Sequence, residues 1–99
     1  MSFVILSSKP GVYHTDPNGD LRVIETWDYR FCGQVKTSFA IAELVHACKV
    51  RVIDETPPVK VALVPSKFLP SFASVEAARR ELRVLVGFGS IDTDLVRRP

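Results

Sequence analysis

The chain has 99 residues, 46% of them hydrophobic and 24% charged, a balance that fits one compact domain over residues 1–99 and excludes two full-sized domains. Thirteen Lys and Arg against eleven Asp and Glu leave a net charge of +2, too small to imply nucleic acid or an anionic membrane as partner. No apolar run is long enough to span a bilayer or to serve as a secretory core, and Cys32 and Cys48 are the only cysteines, so the expectation is a cytoplasmic protein with free thiols.

Phe3, Val4, Ile5 and Leu6 form a short apolar run that ends in Ser7-Ser8-Lys9-Pro10-Gly11, which predicts a buried strand and a turn. Residues 14–20, with Pro17 and Asn18-Gly19, are richer still in turn formers. From Leu21 the pattern has a period of two: Leu21, Val23, Trp27, Tyr29 and Phe31 share one parity, and Arg22, Thr26, Asp28 and Arg30 the other. Glu25 is the exception on the apolar parity.

Alternation resumes after Gly33 with Val35, Phe39 and Ile41. Cys32-Gly33-Gln34 therefore predicts either a hairpin connection or a bend in one long strand. Phe39 to Ala47 also suits a helix. Lys49 to Asp54 and Val59 to Val64 read as further strands, stopped by Pro57-Pro58 and Pro65. One segment reads as helix: Ser74 is placed to cap it, Glu76 lies in its first turn, and Val75, Ala78, Leu82, Leu85 and Val86 recur at helical spacing. Arg79, Arg80 and Arg83 then face water, Gly87 stops the helix, and residues 90–99 are expected either to form a loosely packed tail or to reach a neighbour.

The expected fold is α+β, with about five mostly antiparallel strands in a curved sheet and one C-terminal helix packed on it. Five strands span about 24 Å and a helix covers about 10 Å, so the sheet must either curl or meet a second subunit. A homodimer satisfies the second option.

The chemistry is bounded mostly by exclusion. A ferredoxin-type cluster needs four thiolates, and this chain offers two, sixteen residues apart. A zinc site would have to recruit His14 and His46 with none of the usual spacings, so no metal and no cofactor is expected. The Cys48–His46 neighbourhood carries no catalytic geometry by itself, and no P-loop, dinucleotide fingerprint or G-x-S-x-G occurs. Two candidate groups remain. Tyr13-His14 joins a proton donor to a side chain that titrates near neutrality. Glu25, on the parity of Trp27 and Tyr29, must reach water, pair with a cation, or line a cavity; in a cavity its pKa would rise, with Lys36 or Lys67 as counter-charge.

Three stretches, "MSFVILSSKPGVYHT", "TWDYRFCGQVKTSFAIAEL" and "VPSKFLPSFASVEAARREL", resemble small bacterial proteins encoded with aromatic-acid breakdown genes such as those for indole-3-acetate, often labelled ferredoxin although they lack cluster ligands. The resemblance implies a cytoplasmic accessory role in an aromatic catabolic pathway. Two classes of function follow. One is a binding protein that takes an aromatic metabolite or a pathway enzyme, with Tyr13, His14, Glu25, Trp27 and Tyr29 as ligand-binding residues. The other is a small homodimeric isomerase or hydrolase in which Glu25, Tyr13 or His14 moves a proton. Neither class involves nucleic acid or a membrane.

Overall fold

The computed structural model describes residues 2–16, 19–86 and 93–98. Among them are eight strands and one α-helix: β1 (Ser2–Ser8), β2 (Tyr13–Asp16), β3 (Leu21–Phe31), β4 (Gln34–Leu44), β5 (Lys49–Asp54), β6 (Val61–Pro65), β7 (Ser71–Phe72), α1 (Val75–Val86) and β8 (Thr93–Arg97). The fold is α+β, as expected. Its strands form two antiparallel sheets rather than one: a five-stranded sheet in the order β7-β1-β4-β3-β8 and a three-stranded sheet in the order β2-β5-β6.

The small sheet changes the covering argument. Val4, Leu6, Leu21 and Ala42 of the large sheet pack with Val50 of β5, while Ile41 packs with Ala78 and Leu82 of α1. The large sheet is thus the middle of three layers, and its second face is covered from within the chain rather than by another subunit. β4 shows the consequence most directly: its neighbours Ile41 and Ala42 are both fully buried, one against the helix and one against the small sheet. The unbroken apolar run from Phe39, which also suited a helix, is a strand buried on both faces.

Cys32 and Gly33 join β3 to β4 as a two-residue loop with φ of 51° and 77°. Positive φ at both positions is the tight turn whose twist matches a hairpin, and Gly33 adopts it without steric cost. α1 is capped as expected, with Ala77 N–H donating to Ser74 Oγ at 3.1 Å. Gly87, the expected stop, lies outside the described residues. Residues 93–97 of the expected tail are instead an edge strand, in register with β3 from Trp27↔Arg97 to Phe31↔Thr93.

The parity of β3 differs from the period-two reading, and the cause is local. Val23 pairs with Ala42 but Glu25 with Ile41, so Ile24 is an extra residue, a bulge. Each bulge exchanges the two faces beyond it. Leu21 therefore packs toward the small sheet, whereas Trp27 packs among Ile41, Ala78 and Leu82 on the helix side.

Candidate functional site

The bulge decides where the predicted site residues go. Glu25, Trp27 and Tyr29 fall on the helix side of the large sheet, and Tyr13 and His14 lie on the other side, in β2. The five residues do not form one site.

Glu25 is 4% exposed and saturated with donors. Arg79 Nε donates to its two oxygens at 2.9 and 3.1 Å, and Arg79 Nη2 also bonds Oε2. Arg97 Nη2 lies 3.2 Å from Oε2, and Trp27 Nε1–H donates to Oε1 at 3.0 Å. The Arg79 guanidinium is the main cause that holds the carboxyl down from 4.5 to about 2, with Trp27 and Arg97 assisting against the opposing effect of burial. The conditional expectation of a raised pKa with Lys36 or Lys67 is therefore corrected. Lys36 Nζ donates to Gln34 at 3.4 Å, and Lys67 sits 5.3 Å from the centre of the Phe68 ring. Arg79, expected to face water, instead ties α1 to β3. The geometry makes Glu25 an ion-paired link between α1, β3 and β8, and the lowered pKa makes it a weak base near neutral pH.

On the opposite face the two sheets diverge around a cleft of about 450 Å³. Its floor comes from Leu6 and Ser8 of β1, Ser38 and Ala40 of β4, and Val23 and Thr26 of β3. Its far wall is the corner where the chain leaves the large sheet for the small one: Pro10, Gly11, Tyr13, His14, Thr15 and Glu55. Gly11, at φ 80°, makes this corner possible. Three contacts pin it across the gap. The Tyr13 hydroxyl lies 3.0 Å from Ser7 Oγ, Thr15 N–H donates to Ser8 Oγ at 3.0 Å, and Thr15 Oγ1 donates to the Ser7 carbonyl at 2.5 Å.

Two charged groups frame the cleft. Glu55 accepts Gly11 N–H on Oε2 at 2.8 Å and meets His14 Nδ1 on Oε1 at 3.0 Å. Strand alternation turns Tyr13 and Thr15 toward the large sheet, as their bonds to Ser7 and Ser8 show, so His14 projects from the other side of β2 and meets Glu55 at the rim. Across the floor, Arg98 Nε donates to both oxygens of Asp28 at 2.9 Å, and Nη2 donates to Ser38 Oγ at 3.0 Å. Ser38 Oγ in turn donates to Asp28 at 2.9 Å. The Arg98 bonds hold the Asp28 carboxyl below its ordinary value. Half of the Arg98 side chain stays exposed.

Arg98, Asp28, Ser38 and Glu55 were missed by the sequence reading. Asp28 sat on the parity assigned to water, and nothing in a terminal Arg97-Arg98-Pro99 marks one arginine as folded back onto a strand seventy residues away. The hydroxyls of Tyr13, Thr15 and Ser38 are bonded to Ser7 Oγ, the Ser7 carbonyl and the Asp28 carboxylate respectively, rather than to His14. Cys32 is exposed in its turn and Cys48 is half-buried beside the Val50 core. Among the described residues, no group of three His, Cys, Asp or Glu side chains is placed to hold a metal ion, and no helix is long and apolar enough to cross a membrane.

The fold and cleft define an α+β chain with a preformed hollow between a five-stranded and a three-stranded sheet. Comparison with protein-family models, curated proteins and solved structures finds no match.

Proposed function

We propose that this is a noncatalytic, cytoplasmic accessory protein of an aromatic-compound catabolic pathway, of the indole-3-acetate type, that holds a small aromatic metabolite in the cleft between its sheets. The supporting observation is the cleft itself: about 450 Å³, within the range of small-molecule sites, with aliphatic Leu6, Val23 and Ala40 on its floor and a guanidinium fixed at one side. Bonds to Asp28 and Ser38 hold the Arg98 plane in place, which suits stacking on an aromatic ring. The pathway comes from the resemblance of the three stretches quoted above. Charge refines the ligand: Asp28 neutralises Arg98, and Glu55 adds a further carboxylate at the rim, so a neutral or hydroxylated ring fits better than an anion.

A second reading, a small isomerase or hydrolase, draws on one contact. Glu55 orients the His14 imidazole at 3.0 Å, and that pair could pass a proton to a substrate at the rim. Glu25 takes no part in it.

A thermal-shift titration with indole, indole-3-acetate and their hydroxylated derivatives tests the binding reading. A ligand at a hundredfold excess over its Kd stabilises by about 2.7 kcal/mol, a shift of many degrees for a chain of this length. The expected result is a saturating rise, larger for the neutral rings and lost in Arg98→Ala. No rise with any compound overturns the metabolite reading and leaves a pathway enzyme as the partner to test; turnover of a bound compound that disappears in His14→Gln would establish the second reading.

A further inference from the structure

The small sheet ends in β6, which among the described residues has β5 as its one strand neighbour. Two flanking main-chain bonds set the phase of that ladder: Asp54 N–H donates to the Lys60 carbonyl at 2.9 Å, and Ser66 N–H to the Cys48 carbonyl at 2.7 Å. In an antiparallel ladder, bonded pairs recur at every second residue. Ala62 and Val64 therefore bond to Val52 and Val50, whereas Val61 and Leu63 turn their N–H and C=O groups to the open edge. Those two residues also carry exposed side chains, at 52% and 57%, and Val59 and Phe68 on either flank are exposed at 65% and 69%. Unpaired main chain beside a row of exposed apolar side chains is a template for strand addition.

We propose that β6 pairs antiparallel with β6 of a second copy of this chain, about a twofold axis at Ala62, joining two three-stranded sheets into one of six strands. Register and charge select this occupant. Only Val61 and Leu63, with Val59 and Pro65 beyond them, present groups to the edge, which leaves three self-pairings. Leu63 opposite Leu63 would set Val61 against Pro65, which has no N–H to give. Val61 opposite Val61 would draw on Val59, which lies outside the strand. Val61 opposite Leu63 uses strand residues alone and repeats itself across the axis, each pair exchanging two hydrogen bonds.

In that register Lys60 lies opposite Val64 of the second copy, and the two Lys60 positions are about 14 Å apart along the strands, beyond a screening length of about 10 Å in 0.1 M salt. A parallel pairing would set Lys60 beside Lys60. The antiparallel one also brings the end of each copy that carries Asp54, Glu55 and Lys60 toward the Lys67 end of the other. One short strand covers less than the roughly 800 Å² per partner of a standard interface. The dimer is accordingly concentration-dependent, with Phe68 and Val59 extending the contact.

Two measurements test the pairing. Sedimentation velocity from low micromolar to near-millimolar protein should show a monomer–dimer equilibrium that Leu63→Lys abolishes while far-UV circular dichroism stays unchanged, because Leu63 is exposed in the monomer. In a Cys32→Ser background, which removes the exposed thiol, Ala62→Cys should form an intermolecular disulfide with oxidised glutathione. The two Cα atoms at a non-hydrogen-bonded site on the axis are about 4.5 Å apart, within disulfide reach. A monomer at every concentration, a dimer indifferent to Leu63→Lys, or cross-linking through Val61→Cys in preference to Ala62→Cys would overturn it.

Discussion

Glu25 and Asp28 are three residues apart on β3, both buried, and both held below their ordinary pKa by an arginine from far along the chain. They face opposite sides of the large sheet, and that is where the likeness ends. Glu25 is sealed, its side chain 1% exposed, and gathers donors from α1, β3 and β8. Asp28 is 10% exposed and holds an arginine that is itself half in water beside the cleft. A carboxylate that uses every lone pair to join three elements is a fastening. One whose partner stays accessible fixes the orientation of a group that a ligand can touch.

Removing each carboxylate should separate these roles. Glu25→Ala leaves Arg79 without its counter-charge against a packed helix and is expected to cost about 3 kcal/mol. Asp28→Asn keeps the shape and leaves a partly hydrated Arg98, with an expected loss of about 1 kcal/mol. Urea unfolding of both variants measures the difference. Equal losses would break the distinction drawn between the two faces.

Acid gives a finer test. The folded-state pKa of Glu25 is about 2 against 4.5 for a free carboxyl, so between these values the unfolded chain binds more protons than the folded one. Its contribution is complete above 4.5 and is lost as pH falls toward 2. A shift of this size corresponds to at most about 3 kcal/mol, reduced by the water that reaches Arg79 and Arg97. Asp28 acts in the same direction from its ordinary value of 3.8. Glu25→Gln should flatten the stability profile between 4.5 and 2 more than Asp28→Asn does; the reverse order would assign the acid sensitivity to the cleft side.

How much of this was legible depended on how local the cause was. The Ser74 cap stands where the sequence placed it, and at Cys32-Gly33 the structure takes the hairpin, one of the two readings that these adjacent residues allowed. The split of Glu25, Trp27 and Tyr29 from Tyr13 and His14 follows from one bulged residue, Ile24, a β-branched residue of the kind common throughout strands and so no marker of a bulge. The cleft needs the β1–β2 corner, Glu55 after β5 and Arg98 after β8 at once. Period and composition carry no information about how such distant segments meet. Residue type alone pointed to Tyr13 and His14, and parity, broken by the bulge, pointed to the fastening instead of the cleft.

The smallest effect serves as a control on the comparison. Cys32 holds φ at 51°, a region costly for most side chains but tolerated by asparagine, and Asn-Gly is the preferred pair for this turn. Cys32→Asn should therefore add about 0.5 kcal/mol. The turn lies at the end of the β3–β4 pair and touches neither ion cluster, so the gain should be the same at pH 7 and at pH 3. A gain that shrinks in acid would mean that the hairpin's register and the two carboxylates are coupled, because Asp28 faces Ser38, and Glu25 faces Ile41, only while the strands keep that register.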